Sequence, residues 1–385
     1  MKPVFMLIGL GDLGGVILEY LAREEGLGRI IVASRDRERG RARCNLVALG
    51  AASQGFEPTI DFVHLDLRQQ DEVAAVVQRE APDIILTTAT MQTWWLPDRL
   101  PKPQGEKIKR AGFGIWLPVH LTLTRKLMEA LVEASYEGIV LTAPYPDVVN
   151  CVLGRLGLEP TCGIGNVDEI VPKVRMLAAR QLKQPLDSVK VTLVYHHALH
   201  RFVLGRAAIN QAGSGELPPF FLRVEHRGRD VTESVLAEQL LFSTFAIPPG
   251  PVSHFLTAAS TMGLVKALHR KEPSFLHAPG PEGLPGGYPI HACREGVRLA
   301  PIEGLSQEEA VQINQACQPF DGIECIEEDG SVVFSEEPVR VMHEELGYEC
   351  RKLHPDEAED RALELIRRFG EYSERHGVAS VGARS

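Results

Sequence analysis

The chain has 385 residues, 44% of them hydrophobic and 24% charged, with a net charge of −10. The length exceeds one ordinary hydrophobic core and predicts two domains, at residues 1–150 and 151–385. The acidic balance excludes a nucleic-acid binder held by phosphate contacts, which needs a basic face, and no apolar run approaches the ~20 residues that span a bilayer. The seven cysteines are dispersed and form no CxxC pair, so free thiols in a reducing cytoplasm are expected rather than a disulfide framework or a zinc site.

The apolar run Val4-Phe5-Met6-Leu7-Ile8 leads into Gly9-Leu10-Gly11-Asp12-Leu13-Gly14-Gly15, after which Val16, Ile17, Leu18 and Leu21 recur at helical spacing. This reads as strand, glycine turn and helix, and predicts dinucleotide binding by Gly9, Gly11, Asp12, Leu13 and Gly14. Gly9 allows the turn, Gly11 lets a pyrophosphate approach the backbone, and Gly14 lets helix and strand lie close. A second strand, Arg29 to Ser34, ends 20 residues beyond Gly14, where an NAD enzyme keeps an acid for the ribose hydroxyl. Ser34, Arg35 and Arg37 stand there instead and suit a 2′-phosphate, so NADP is favoured over NAD. In the alternative reading the basic residues open a solvated helix and Asp36 holds the ribose.

A third strand over Phe62–Leu67, a helix over Asp71–Glu80 and a fourth strand over Asp83–Thr90 continue the alternation, which predicts an α/β fold with a Rossmann doubly wound parallel sheet. Thr88, Ala89 and Thr90 end the fourth strand at the crevice where such sheets bind dinucleotides, and Thr142 ends a fifth strand beginning at Gly138. Between them, Met91–Gly114 is rich in proline and glycine and carries Trp94 and Trp95, which predicts a structureless loop that covers substrate. His120 and Leu121–Ala134 read as an amphipathic helix. Helices are also expected over Val231–Phe245, over Ser253–His269 and, as a charged surface helix, over Pro355–Arg375, with a β-hairpin over Phe320–Phe334.

Beyond the fifth strand the order Thr142-Ala143-Pro144, Gly163-Ile164-Gly165-Asn166-Val167-Asp168, Pro172-Lys173-Val174-Arg175 and Tyr195-His196-His197-Ala198 resembles the lactate/malate dehydrogenase superfamily. There a Ser-Asn-Pro turn, a Gly-x-Gly-Thr-x-Leu-Asp-Ser-Ala-Arg helix start and a Gly-Glu-His-Gly turn occur in this order. The likeness continues through Gly286–Ile290 and Leu305–Glu309 and spans Pro3 to about Gln318. It implies an α+β C-terminal domain, a homodimer or homotetramer, and hydride transfer between the nicotinamide and a 2-hydroxy/2-oxo acid or related alcohol/carbonyl substrate. It also implies His197 as the acid/base group with His196 as runner-up, Asp168 orienting it, and Lys173 and Arg175 binding an anionic substrate.

This chain departs from the pattern at two places. Ala143 replaces the turn asparagine, and the spacing from Asp168 to Lys173 is longer than the family's spacing from aspartate to arginine. Pro172, tolerated in a first helical turn, predicts a helix start near Val171. Two other readings compete: a dinucleotide-binding sensor or subunit without catalysis, and an NAD-requiring glycosidase using Cys162 with His196 or His197 to hold a metal.

Overall fold

The computed structural model describes residues 2–204, 217–248 and 250–378. In chain order the first half contains β1 (Val4–Ile8), α1 (Asp12–Leu21), β2 (Arg29–Ser34), α2 (Arg37–Ala52), β3 (Ile60–His64), α3 (Gln70–Glu80), β4 (Ile84–Thr87), α4 (Lys102–Lys109), α5 (Leu117–Glu133), β5 (Ile139–Thr142), α6 (Pro146–Arg155) and β6 (Cys162–Gly163). These six strands form one parallel sheet in the order β3-β2-β1-β4-β5-β6. The order reverses between β1 and β4, the kind of switch point beyond whose strand ends open α/β sheets form their crevice.

Alternation along the strands sorts the core into two layers. Met6, Ile8, Ile31, Ala33 and Ile85 face α3, α5 and α6, whereas Phe5, Leu7, Ile30, Val32, Ile84 and Leu86 face α1 and α2. Neither face meets water, so these strands read as continuous apolar runs.

The second half begins with α7 (Val167–Leu182), β7 (Val189–Val194), α8 (His200–Val203), β8 (Phe221–His226), β9 (Arg229–Asp230), α9 (Ala237–Phe242) and α10 (His254–Leu268). It continues with β10 (Ser274–Pro279), β11 (Gly287–Cys293), β12 (Gly296–Leu299), α11 (Gln307–Cys317), β13 (Ile323–Ile326), β14 (Val332–Phe334), α12 (Glu336–Leu346), β15 (Lys352–Leu353) and α13 (Ala358–Arg375). The nine strands make three antiparallel sheets, β7-β8-β9, β10-β11-β12 and β13-β14-β15. α10 packs in the α1 and α2 layer, while β13, β14, α12 and α13 join the α3, α5 and α6 layer, Trp116 meeting Phe369 edge-on at 5.3 Å.

Several boundaries differ from the sequence reading for identifiable reasons. Met91–Gly114 is ordered into a 3₁₀ turn at Leu96–Arg99 and α4, because Leu96, Leu100, Ile108 and Ala111 are buried in the core layer shared with α12. Surface ion pairs from Lys107 to Glu345 (3.1 Å) and from Arg110 to Glu337 (2.9 Å) lie beside them. α7 starts at Val167, not Val171: Pro172 is its sixth residue and withholds only the N–H that would reach the Asp168 carbonyl. α13 is not merely a surface helix, since Ala362, Leu365, Phe369 and Tyr372 form a buried stripe. The hairpin read over Phe320–Phe334 is present as β13 and β14.

Candidate functional site

The glycine turn is built as a cradle. A Cβ on Gly14 would stand 2.1 Å from the Gly9 carbonyl oxygen, so no larger residue lets α1 lie this close to the end of β1. A Cβ on Gly11 would meet no protein atom within 4 Å, and Gly11 caps α1 with no side-chain hydrogen bond. Unsatisfied N–H groups and the positive end of the helix dipole therefore face open space, the environment a pyrophosphate requires. Asp12 is exposed in the first turn and Leu13 packs inward. Thr88 Oγ1 donates to the Gly9 carbonyl (3.0 Å), fastening the segment after β4 to the turn. Ala89 instead packs against the α3, α5 and α6 layer, and the Thr90 hydroxyl is engaged by the main-chain carbonyls of Val119 (2.8 Å) and Gln92 (3.0 Å). Thr142 is different: it is fully buried, its hydroxyl donates to Asn150 Oδ1 (2.8 Å) and its carbonyl accepts from Ile164 N (2.9 Å). Its groups are engaged inside the protein rather than turned to a ligand.

At the far end of the cleft Ser34 closes β2, and Arg35 and Arg37 are exposed beside it. Asp36 is the N-cap of α2, accepting from Arg39 N at 3.0 Å. That role accounts for its presence without a ribose contact.

The other end of the crevice gathers side chains from five segments. β7 delivers His196 and His197, whose rings separate as expected for adjacent residues on an extended chain. His196 is fully buried; its Nδ1 accepts from Ala198 N (3.1 Å), and its Nε2 has no partner among the described residues. His197 is partly exposed, with its Nδ1 2.8 Å from Asp321 Oδ2 and its main-chain N–H donating to Asp147 Oδ1 at 2.9 Å. Phe113 lies against the imidazole at 4.7 Å between ring centres, Tyr145 at 5.2 Å and His200 at 5.6 Å. Tyr145 Oη donates to the same Asp321 Oδ2 (2.6 Å), and the Asp147 carboxylate also accepts from Asn166 Nδ2.

The electrostatics follow from this packing. Burial works against the His197 imidazolium, but Asp321 by charge and hydrogen bond, helped by Asp147 and Glu169, outweighs it and raises the pKa above its ordinary value. Burial also works against the Asp321 carboxylate, yet His197 beside it holds the carboxyl well below the usual range. His120, buried against Phe113 and next to Thr90, is pushed down to about 3 by burial and the His197 charge, so it is neutral. Trp94 Nε1 donates to His254 Nε2 (3.1 Å), so the tryptophan segment contacts the start of α10.

Three residues expected at the site are engaged elsewhere. Asp168 does not bond His197: it lies near the His277 main chain, and burial with the neighbouring Glu169 pushes its carboxyl up to about 8. Lys173 is 4% exposed and donates to the carbonyls of Val203 (3.0 Å), Leu241 (2.7 Å) and Ser243 (2.8 Å), closing the ends of α8 and α9. Arg175 donates to the Leu186 carbonyl at 3.0 Å. Asp321, Tyr145, Asp147 and Phe113 were not singled out by sequence, since nothing local distinguishes them. Cys162, in β6, is fully buried, and burial pushes its thiol up to about 12.

Lys173 thus has a testable structural role. Lys173→Met should lower stability in chemical denaturation by about 1–3 kcal/mol, the cost of stranding buried carbonyls, with dinucleotide affinity near wild type. Unchanged stability accompanied by a raised KM would instead return Lys173 to substrate binding.

The fold defined by this sheet and its appended layers is that of the lactate and malate dehydrogenases. The chain is similar to lactate dehydrogenase from Eimeria maxima, solved with NADH and oxamate, at 12% identity and a TM-score of 0.55, covering 83% of this chain and 92% of that one. Malate dehydrogenase from Cryptosporidium parvum matches at 14% identity and 0.55, and that from Plasmodium falciparum with NADH at 13% and 0.53; each match covers 83% of this chain and 98% of the other. No protein-family model and no curated protein sequence matches the chain. Among the described residues, no helix is long and apolar enough to cross a membrane.

Proposed function

We propose that this chain is a nicotinamide-dinucleotide-dependent oxidoreductase acting on an alcohol/carbonyl pair, with NADP preferred to NAD. The observation that carries the reading is a shared edge. The Gly11 turn at the bare helix N-terminus and the Tyr145–Asp147 segment that holds His197 both leave the same ends of parallel strands. The NADH-bound dehydrogenases of the same fold support it.

Bound along that edge, the nicotinamide would supply or accept a hydride. His197 would hold the accompanying proton at Nε2, since Nδ1 is turned to Asp321, and give it to the substrate oxygen in reduction or take it in oxidation. Phe113 and Tyr145 limit water around the imidazole. A 2-hydroxy or 2-oxo acid is compatible with this chemistry, but its carboxylate would not be held by Lys173 or Arg175, which are engaged by main-chain carbonyls.

The cofactor assignment is tested by titrating NADPH and NADH against wild type and Arg35→Ala. NADPH should bind more tightly, and the variant should lose tenfold to a hundredfold in NADPH affinity, about 1.5–3 kcal/mol for a charge-assisted phosphate contact, with NADH little changed. Equal affinities together with a harmless Arg35→Ala would remove the NADP reading.

A further inference from the structure

We propose that Asp321, from the turn between α11 and β13, is the positioning carboxylate of His197, and that the C-terminal segment thereby supplies a part of the site that the helix bearing Asp168 does not. The inference rests on the reading of His197 as the proton-handling group, but its geometry stands independently of that reading.

Several independent contacts fix the residue. Asp321 is 5% exposed, and a single carboxylate oxygen faces both the His197 Nδ1 (2.8 Å) and the Tyr145 hydroxyl (2.6 Å). The backbone of its turn is seated on the Phe113 segment: a Cβ on Gly114 would stand 2.6 Å from the Asp321 carbonyl oxygen, so glycine is what permits the approach. Phe113, carried by that segment, packs on the His197 ring, so one loop sets both the carboxylate and the wall of the imidazole. Gly322 follows at φ +88°, a backbone state that lets the chain turn directly into β13. Asp168 has no comparable contact with His197.

The chemistry follows from which nitrogen is bonded. A carboxylate at Nδ1 holds the proton there, presents Nε2 to the crevice, and stabilises the imidazolium once Nε2 is protonated. The other groups acting on His197 are the Asp147 and Glu169 carboxylates, from α6 and α7, and the imidazoles of His120, His196 and His200. Of these, only Asp147 bonds the residue, and it does so at the main-chain N–H rather than the ring.

The test reads the imidazole directly and needs no substrate. Full-length protein labelled with ¹⁵N-histidine is titrated by NMR, with the His197 resonances assigned by their loss in His197→Gln. Asp321→Asn, which keeps the shape and removes the charge, should lower the His197 midpoint by about one pH unit or more and shift the tautomer balance; Asp168→Asn should leave both as in wild type. Tyr145→Phe removes only the hydroxyl, leaves His197 as the sole donor to that oxygen, and should raise the midpoint, which keeps the test decisive if Asp321→Asn does not fold. An unmoved midpoint in Asp321→Asn, a fall in Tyr145→Phe, or a larger effect from Asp168→Asn would overturn the proposal. Should the titrations behave as stated while His197→Ala retains full turnover, the pairing stands and the acid/base reading fails.

Discussion

His197→Ala is expected to lower turnover by about a hundredfold to ten-thousandfold while leaving dinucleotide affinity near wild type, the usual worth of a positioned acid/base group. The separation is expected because the imidazole touches Phe113, Tyr145, His200 and Asp321, whereas the glycine turn is fastened by Thr88. The pH profile should carry the same signature. With its pKa raised by Asp321, wild-type His197 keeps its proton to higher pH than an ordinary imidazole, so carbonyl reduction should decline only as pH rises through the raised value, while alcohol oxidation should increase. The stability consequence has a defined sign. A histidine whose folded pKa is raised contributes stability fully below its unfolded value, and loses that contribution as pH rises through the folded value. Turnover, thermal stability and cofactor affinity should be measured together for His196→Ala and His197→Ala. Activity lost only in step with stability would assign catalysis to neither.

The second large effect concerns the glycine turn, where two substitutions of the same size should behave differently. Gly14→Ala places a methyl group 2.1 Å from a main-chain oxygen, with strand and helix both fixed by the sheet. Overpacking of this kind costs on the order of 3 kcal/mol, so both stability and cofactor binding should fall, the latter by about a hundredfold. Gly11→Ala meets no protein atom and sits at φ −77°, which alanine adopts freely. Its stability should remain within ~0.5 kcal/mol of wild type, yet the methyl group enters the space a pyrophosphate would occupy, so dinucleotide affinity should drop by about tenfold or more. Denaturation curves and dinucleotide titrations on the two variants decide the matter. Unchanged affinity in Gly11→Ala would place the phosphates elsewhere.

The sheet was legible in sequence because its information is local. Val4–Ile8 and Arg29–Ser34 are apolar on both faces, and their predicted limits coincide with β1 and β2. The cradle was equally legible, since glycine spacing reports a close approach whatever surrounds it. Met91–Gly114 failed for the opposite reason: its prolines and glycines signal a loop, and its order comes from packing Leu96, Leu100, Ile108 and Ala111 against α12, far along the chain. Pro172 misdirected the start of α7 because a helix already anchored by Val167 and Ile170 in the core tolerates the loss of one hydrogen bond. Resemblance singled out His197 but could not single out its hydrogen-bond partner: Asp321 lies 124 residues away, in an ordinary Asp-Gly turn beyond the stretch where the likeness was read. Asp168 and Lys173 stand where the resemblance puts them along the chain, but Asp168 lies near the His277 main chain and Lys173 is bonded to the carbonyls of Val203, Leu241 and Ser243, contacts that chain position does not report.

The dependence of His197 on Asp321 also bears on how the molecule matures. The sheet and the glycine turn are made by residues up to Gly163, and α10 completes the packing on α1 by Leu268. The carboxylate arrives only when residue 321 does, and its seat becomes firm once α12 packs on α4 and α13 on α5. Contacts of such long sequence separation are slow to form, because loop closure must be met before packing rewards it. A ribosome releases the chain from its N-terminus, so the ability to bind a dinucleotide would precede the ability to hold the proton. A nascent or partly folded chain could then sequester cofactor without turning it over.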